Sequence, residues 1–200
     1  MIEAIIFDLG DVFLNLNSQA SIDAFKKLGL TDWNDDLKEK SLFFETGKID
    51  ELEFMESIQK YIPNADLEQI REAWNAIISD FPLERLEFLE KLQNKYDLFL
   101  LSNTNQTHID KFEHRVGLTF AREFYAHFNK IYFSFETKVR KPDEAVFNLI
   151  LKQNNLKPNK TLFVDDTLEN IEAAASLGIK TWQIILGQDD VTHLFDKKIL

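Results

Sequence analysis

Short apolar runs that end in polar residues recur along this chain and dictate its architecture. Ile5-Ile6-Phe7 runs into Asp8, Leu98-Phe99-Leu100-Leu101 into Ser102-Asn103, and Thr161-Leu162-Phe163-Val164 into Asp165-Asp166. Ile131-Tyr132-Phe133-Ser134 and the stretch from Lys180 to Ile185 add two more. Continuous apolar runs of this length read as strands buried on both faces. Helical segments lie between them, one after Pro142 and one from about Leu168 to Leu177 that stops at Gly178. Strands alternating with helices predict an α/β fold, a Rossmann-like doubly wound parallel sheet with helices on both faces. Parallel strands present the same end to the same side, so the polar residues converge on one edge, where open α/β sheets bind ligands.

Between the first strand and the rest of the sheet the pattern changes. Ser18 to Leu30, with Asn17 or Ser18 as the cap, has helical character. Leu52, Met55, Ile58, Tyr61 and Ile62 form one apolar face behind Asp50, and Leu67, Ile70, Trp74, Ile77 and Ile78 form another behind Asp66. Residues 16–80 are expected to be an inserted four-helix-bundle cap, and residues 1–15 with 81–200 the sheet domain. Pro82 opens the next helix, with Leu83, Leu86, Leu89 and Leu92 inward.

Composition removes several classes of function. Without cysteine there is no disulfide, thiolate nucleophile or cysteine-ligated zinc, and a reducing, cytoplasmic setting is expected. No apolar run is long enough to span a bilayer, so no membrane partner is expected. A formal net charge of −11 repels a polyanion and argues against nucleic acid. A small anionic substrate stays compatible where local cations reverse the field. The 18 phenylalanines are expected to pack the core.

Asp8, Ser102, Asn103, Asp165 and Asp166 share the predicted edge, and Lys141, between Arg140 and Pro142, can reach it. Oxygen-only ligands suit a hard cation such as Mg²⁺, which accepts a substrate phosphate oxygen. Asp8 can attack phosphorus as a carboxylate nucleophile. A serine hydroxyl, backbone N–H groups, the lysine ammonium and Mg²⁺ would neutralise the phosphoryl oxygens, and the lysine helps keep Asp8 ionised.

Phe7-Asp8-Leu9-Gly10, Leu101-Ser102-Asn103-Thr104, Arg140-Lys141-Pro142 and Val164-Asp165-Asp166 resemble, in order and spacing, the four motifs of the haloacid dehalogenase-like hydrolase superfamily. The helical insertion resembles that family's first type of cap, and the likeness covers essentially the whole chain. It implies that Asp8 is the nucleophile and that Asp166, Asp165 and the main-chain carbonyl of Gly10 belong with Asp8 to a Mg²⁺ site. It implies that Ser102 and Lys141 bind the phosphoryl group with Asn103 alongside, and that Asn170 supports the metal-binding loop. The expected substrate is a small phosphorylated metabolite, and the expected assembly a monomer or weak homodimer.

One position departs from the family's phosphatases, which carry a second aspartate two residues after the nucleophile to protonate the leaving group. Here that position is Gly10, and Asp11 follows one residue later, where strand alternation points it elsewhere unless the turn rotates it back. Three readings follow. The favoured one is an active phosphatase whose leaving group needs little protonation or whose proton is relayed by another group. Asp-Leu-Gly-x-Val with Ser-Asn-Thr-Asn is similar to sugar 1-phosphate phosphatases. The others are a metal-free dehalogenase, in which paired aspartates would have no purpose, and a binding or regulatory relative.

Phe43 to Lys48 is either the part of the cap that meets substrate, with Glu45 and Lys48 as specificity candidates and Lys48 offsetting phosphate charge, or a surface helix connection. The histidines at 108, 114, 127 and 193 show no metal-site spacing, and His108 is expected on an exposed helix face. Trp74 is expected in the core or at the cap interface, Lys138 solvated, and Asp189-Asp190 at the start of a last helix.

Overall fold

The computed structural model describes residues 1–200. Strand β1 (Ala4–Phe7) is wholly buried and central. With β2 (Asp97–Ser102), β3 (Lys130–Phe133), β4 (Thr161–Asp165) and β5 (Lys180–Gln183) it forms one sheet in the order β3-β2-β1-β4-β5. Every pairing is parallel, as expected. Phe7 lies opposite Leu100 on one side and Val164 on the other, so Asp8 falls level with Asp165.

Side chains alternate across the sheet. Ile5, Phe7, Leu98, Leu100, Leu162 and Val164 enter one core layer, and Ala4, Ile6, Phe99, Leu101 and Phe163 the other. The first layer is closed by α5 (Leu83–Leu92), α6 (Gln106–Val116) and α7 (Leu118–Ala126), which contribute Leu86, Leu89, Phe112 and Phe124. The second is closed by α9 (Glu144–Gln153) and α10 (Leu168–Ser176) through Phe147, Ile150, Ile171 and Ala174. Phe13 anchors the first layer, with the rings of Phe7, Phe124 and Phe128 edge-on around it. A short α8 (Ser134–Thr137) follows β3.

Four helices stand between β1 and α5: α1 (Ser18–Leu28), α2 (Asp35–Glu45), α3 (Glu51–Gln59) and α4 (Leu67–Asn75). Asn17, Asn34, Asp50 and Asp66 each accept a first-turn N–H, which sets where the helices begin. They enclose a core of their own built on Phe25, Leu37, Phe44, Phe54, Met55, Ile58 and Ile70. The two crossings to the sheet run side by side: Asn15 N–H donates to Asp80 O, Ser79 N–H to Asn15 O, and Asn17 N–H to Ile77 O.

Three leucine and tyrosine positions expected inside are outside. Leu52 is 55% exposed, because Phe54, Met55, Ile58 and Ile62 define the inward face and Leu52 lies about a quarter-turn away. Tyr61 turns its hydroxyl to Asp36 at the surface. Leu83 is exposed because Arg85, Leu86, Phe88, Leu89 and Leu92 occupy the inner face of α5. Arg85 ion-pairs with Asp190 at 2.8 Å and donates to Phe13 O, tying the loop after β1 to the C-terminal segment. Asp190 caps the 3-10 turn over Val191–Lys197, so the Asp189-Asp190 pair is structural here. No helix is long and apolar enough to cross a membrane.

The end of α2 is fastened to the segments after β2 and β3. Ser134 Oγ lies 2.7 Å from Glu45 O and accepts from Thr104 N–H, and Lys138 Nζ donates to Gly47 O at 2.9 Å. Lys138 is exposed, as expected, and also fastens the turn through Gly47 O. Gly47 has a φ of 60°, and a Cβ there would collide with Lys138 Nζ and the Phe135 carbonyl. Gly47→Ala is expected to cost about 1–3 kcal/mol, read as a lowered melting temperature. An unchanged melting temperature would mean that this fastening carries no weight.

Candidate active site

A cavity of about 360 Å³ lies between the C-terminal edge of the sheet and the four helices, a volume suited to a small molecule. The edge supplies Asp8, Gly10, Asp11, Ser102, Asn103, Arg140, Lys141, Asp166 and Asn170 to its wall. The helices and their crossings supply Ser41, Glu45, Trp74, Ile77 and Ile78.

Lys141 is 1% exposed and bridges two carboxylates, with Nζ 2.6 Å from Asp8 Oδ1 and 2.7 Å from Asp165 Oδ2. Burial works against its charge, but the two carboxylates outweigh that and hold its pKa above the ordinary lysine value. One ammonium cannot neutralise both acids. Burial, aided by the Asp165 charge and opposed by Lys141, pushes the Asp8 carboxyl up to about 7. Asp166 is raised too, by burial and by Asp165.

Asp8, Asp165 and Asp166 each bring a carboxylate oxygen within 4.8 Å of the others. Clustered hard oxygens with excess negative charge fit a divalent cation such as Mg²⁺. The three differ in freedom. Asp165 is fully buried and already accepts from Lys141 Nζ, Thr167 N–H and Asn170 Nδ2. Asp166 is half-buried and lines the cavity.

Asn103 is placed differently from a phosphate ligand. Its side chain clamps the Lys141 backbone, Nδ2 donating to Lys141 O and Oδ1 accepting from Lys141 N–H, both at 2.9 Å. Ser102 is buried in the cavity wall. Lys48 does not line the cavity: it is exposed with its ammonium 5.1 Å from the Phe43 ring, because the turn at Gly47 carries it outward. Glu45, from the same segment, does line it and pairs with Arg140 at 3.1 Å.

Gly10 and Asp11 account for the missing family aspartate. A Cβ on Gly10 would meet Leu16 Cδ1 at 2.8 Å, so Leu16 occupies the space a side chain there would need. Asp11 has a φ of 54° and its Oδ1 accepts from Leu16 N–H, closing its own loop.

His108 is not on an exposed face. Helix α4 covers the start of α6, and the His108 ring stacks on Trp74 at 4.9 Å, with Trp33 stacked beyond Trp74 at 5.8 Å. Nδ1 faces the Asn105 amide nitrogen, a donor, so Nε2 carries the proton toward Trp74 O. Burial lowers its pKa to about 4 and keeps the ring neutral. Leu16, Ser41, Thr104, Asn105, Thr167, Ile77 and Ile78 line the cavity without having been expected there. The two crossings bring in Leu16, Ile77 and Ile78, the turns after β2 and β4 bring in Thr104, Asn105 and Thr167, and α2 brings in Ser41.

A model of the haloacid dehalogenase-like hydrolase family matches residues 5–184. The chain belongs to this family. Among haloacid dehalogenase-like hydrolases it is similar to the D-ribitol-5-phosphate phosphatase of Bacteroides thetaiotaomicron, 29% identical over 195 residues that cover 94% of this chain and 95% of that one. It is also similar to a family enzyme of the same organism whose crystal structure holds magnesium and inorganic phosphate. That likeness has a TM-score of 0.84 and 32% identity, covering 98% of this chain and 100% of the other. A family hydrolase from Porphyromonas gingivalis matches with a TM-score of 0.84 and 29% identity over 98% of each chain. The fold is thus that of this hydrolase family.

Proposed function

We propose that this hydrolase is a Mg²⁺-dependent phosphatase that cleaves a small phosphorylated polyol or sugar through an aspartyl-phosphate formed on Asp8. The observation that carries the reading is the buried Asp8–Lys141 pair, 2.6 Å apart, which lines one cavity with Asp166 and packs against the fully buried Asp165.

Asp8, Asp166 and the Gly10 carbonyl would hold the cation, while Asp165, already saturated, would work chiefly by fixing Lys141 and the loop to Asn170. The bound ion supplies charge neutralisation at a phosphate oxygen. Lys141 and the Ser102 hydroxyl steady the other oxygens, Asn103 positions Lys141 through its backbone, and residues 16–80 act as a cap that excludes water. The likeness to a ribitol phosphate phosphatase and to a structure holding magnesium and phosphate supports the substrate class and the cofactor. A wall of Trp74 and His108 with the polar groups of Ser41, Glu45, Asn105 and Arg140 also suits a hydroxylated substrate. Three clustered acids argue against a metal-free dehalogenase.

Phosphate release is to be measured over a panel of polyol and sugar phosphates with Mg²⁺ and again with EDTA. Release from at least one of them, abolished by EDTA and restored by excess Mg²⁺, is expected. Release that persists under chelation, or no release from any phosphomonoester, would overturn the reading.

A further inference from the structure

We infer that Glu45 carries the leaving-group proton, the step that Gly10 leaves without a side chain; the inference rests on the phosphatase reading above. In-line displacement puts the attacking and leaving oxygens on opposite sides of phosphorus. Asp8 attacks from the sheet edge, so the ester oxygen faces the opposite wall, where the helical block contributes Ser41, Glu45, Trp74, Ile77 and Ile78. Glu45 is the one acid among them.

The other titratable groups of the cavity are committed elsewhere. Asp11 holds Leu16 N–H, Asp166 lies in the acidic cluster with Asp8, and both ring nitrogens of His108 have partners. Lys141 stays cationic between Asp8 and Asp165. Glu45 is also held in place: its carbonyl lies 2.7 Å from Ser134 Oγ, which receives the N–H of Thr104, two residues beyond Ser102. Its carboxylate lies 3.1 Å from Arg140 Nε, but that nitrogen is buried and makes no hydrogen bond, so a donor beside Glu45 is left for a substrate oxygen. Burial raises the Glu45 pKa against the pull of Arg140 and Lys141, and an entering phosphate dianion adds to the rise.

The steps balance. An Asp8 oxygen bonds to phosphorus as the ester P–O bond breaks, and the electron pair left on the ester oxygen takes the Glu45 proton, so the alcohol departs neutral. The Glu45 carboxylate then takes a proton from water as the water oxygen bonds to phosphorus and the Asp8 O–P bond breaks. Inorganic phosphate, the Asp8 carboxylate and protonated Glu45 result.

Glu45→Gln separates this role from a structural one when full-length enzyme with Mg²⁺ is assayed on alkyl phosphates and on p-nitrophenyl phosphate. The variant should lose about 10²–10⁴-fold in kcat on the alkyl esters. On p-nitrophenyl phosphate it should keep the first-turnover burst of nitrophenolate, which needs no proton, and accumulate phosphoenzyme. Glu45→Asp, which keeps an acid on a shorter arm, should regain part of the alkyl-ester rate. An equal loss of the first-turnover rate on both leaving groups overturns the assignment, as does a leaving-group-dependent loss in Asp11→Asn with Glu45→Gln unaffected. If wild type releases no phosphate, or Asp8→Asn retains the activity, the phosphatase reading itself fails. If wild type is active and Asp8→Asn is dead, a uniform effect of Glu45→Gln on the first-turnover rate removes only the role given to Glu45.

Discussion

Asp8→Asn is expected to lower Mg²⁺-dependent phosphate release by on the order of 10⁴-fold or more, the scale on which removing a nucleophile acts. The amide keeps the shape and a hydrogen-bond acceptor for Lys141, whose Nζ lies 2.6 Å from Asp8 Oδ1. It cannot form the acyl-phosphate. The fold should survive, because Lys141 retains Asp165 at 2.7 Å and the substitution removes a charge whose burial is unfavourable. Two measurements check this. Melting curves should place the variant close to the wild type, and quenched wild-type reactions should yield a hydroxylamine-sensitive phosphoenzyme that the variant lacks. A variant that still turns over would remove Asp8 as the nucleophile.

Lys141→Met is expected to affect both activity and stability. The chain length is nearly kept, so packing against Phe163, whose ring centre is 5.6 Å from the ammonium, changes little. The charge is lost, leaving Asp8 and Asp165 facing each other in a buried site. Removing one partner of a buried ion pair costs roughly 3–5 kcal/mol, and loss of a cation from a phosphoryl site costs on the order of 10²–10³-fold in kcat. Mg²⁺ should raise the melting temperature of the variant more than that of the wild type, because the ion replaces part of the missing positive charge. A variant as stable as wild type without Mg²⁺ would mean that the ammonium is not what balances these acids.

How far the site can be read from the chain differs from residue to residue. Asp8, Ser102, Lys141, Asp165 and Asp166 are legible because each follows an apolar strand or opens a helix, and a parallel sheet brings such positions to one edge whatever the loops do. Asn103 and Asp165 are legible as neighbours of the chemistry but not in their hydrogen bonds. Only the folded chain shows that the amide of Asn103 clamps the Lys141 backbone and that Asp165 is saturated by Lys141, Thr167 and Asn170. Lys48 and Glu45 lie three residues apart on one segment. The left-handed turn at Gly47 sends Lys48 outward, while Glu45 stays on the cavity wall. His108 looked exposed because helical periodicity describes one helix alone, and its cover comes from Trp74, 34 residues away.

Sequence order was therefore enough for the parallel sheet, the inserted helices and the shared polar edge, since strand burial and helix capping are short-range and periodic. Tertiary structure decided what the groups at that edge face. Leu16, six residues beyond Gly10, fills the space above it, and Glu45 on the opposite wall is the acid left to face a leaving group. Both depend on how the helical block returns over the sheet through the paired crossings at Asn15, Asn17, Ile77 and Ser79. Contacts of that kind join residues far apart in the chain, and no local periodicity encodes them.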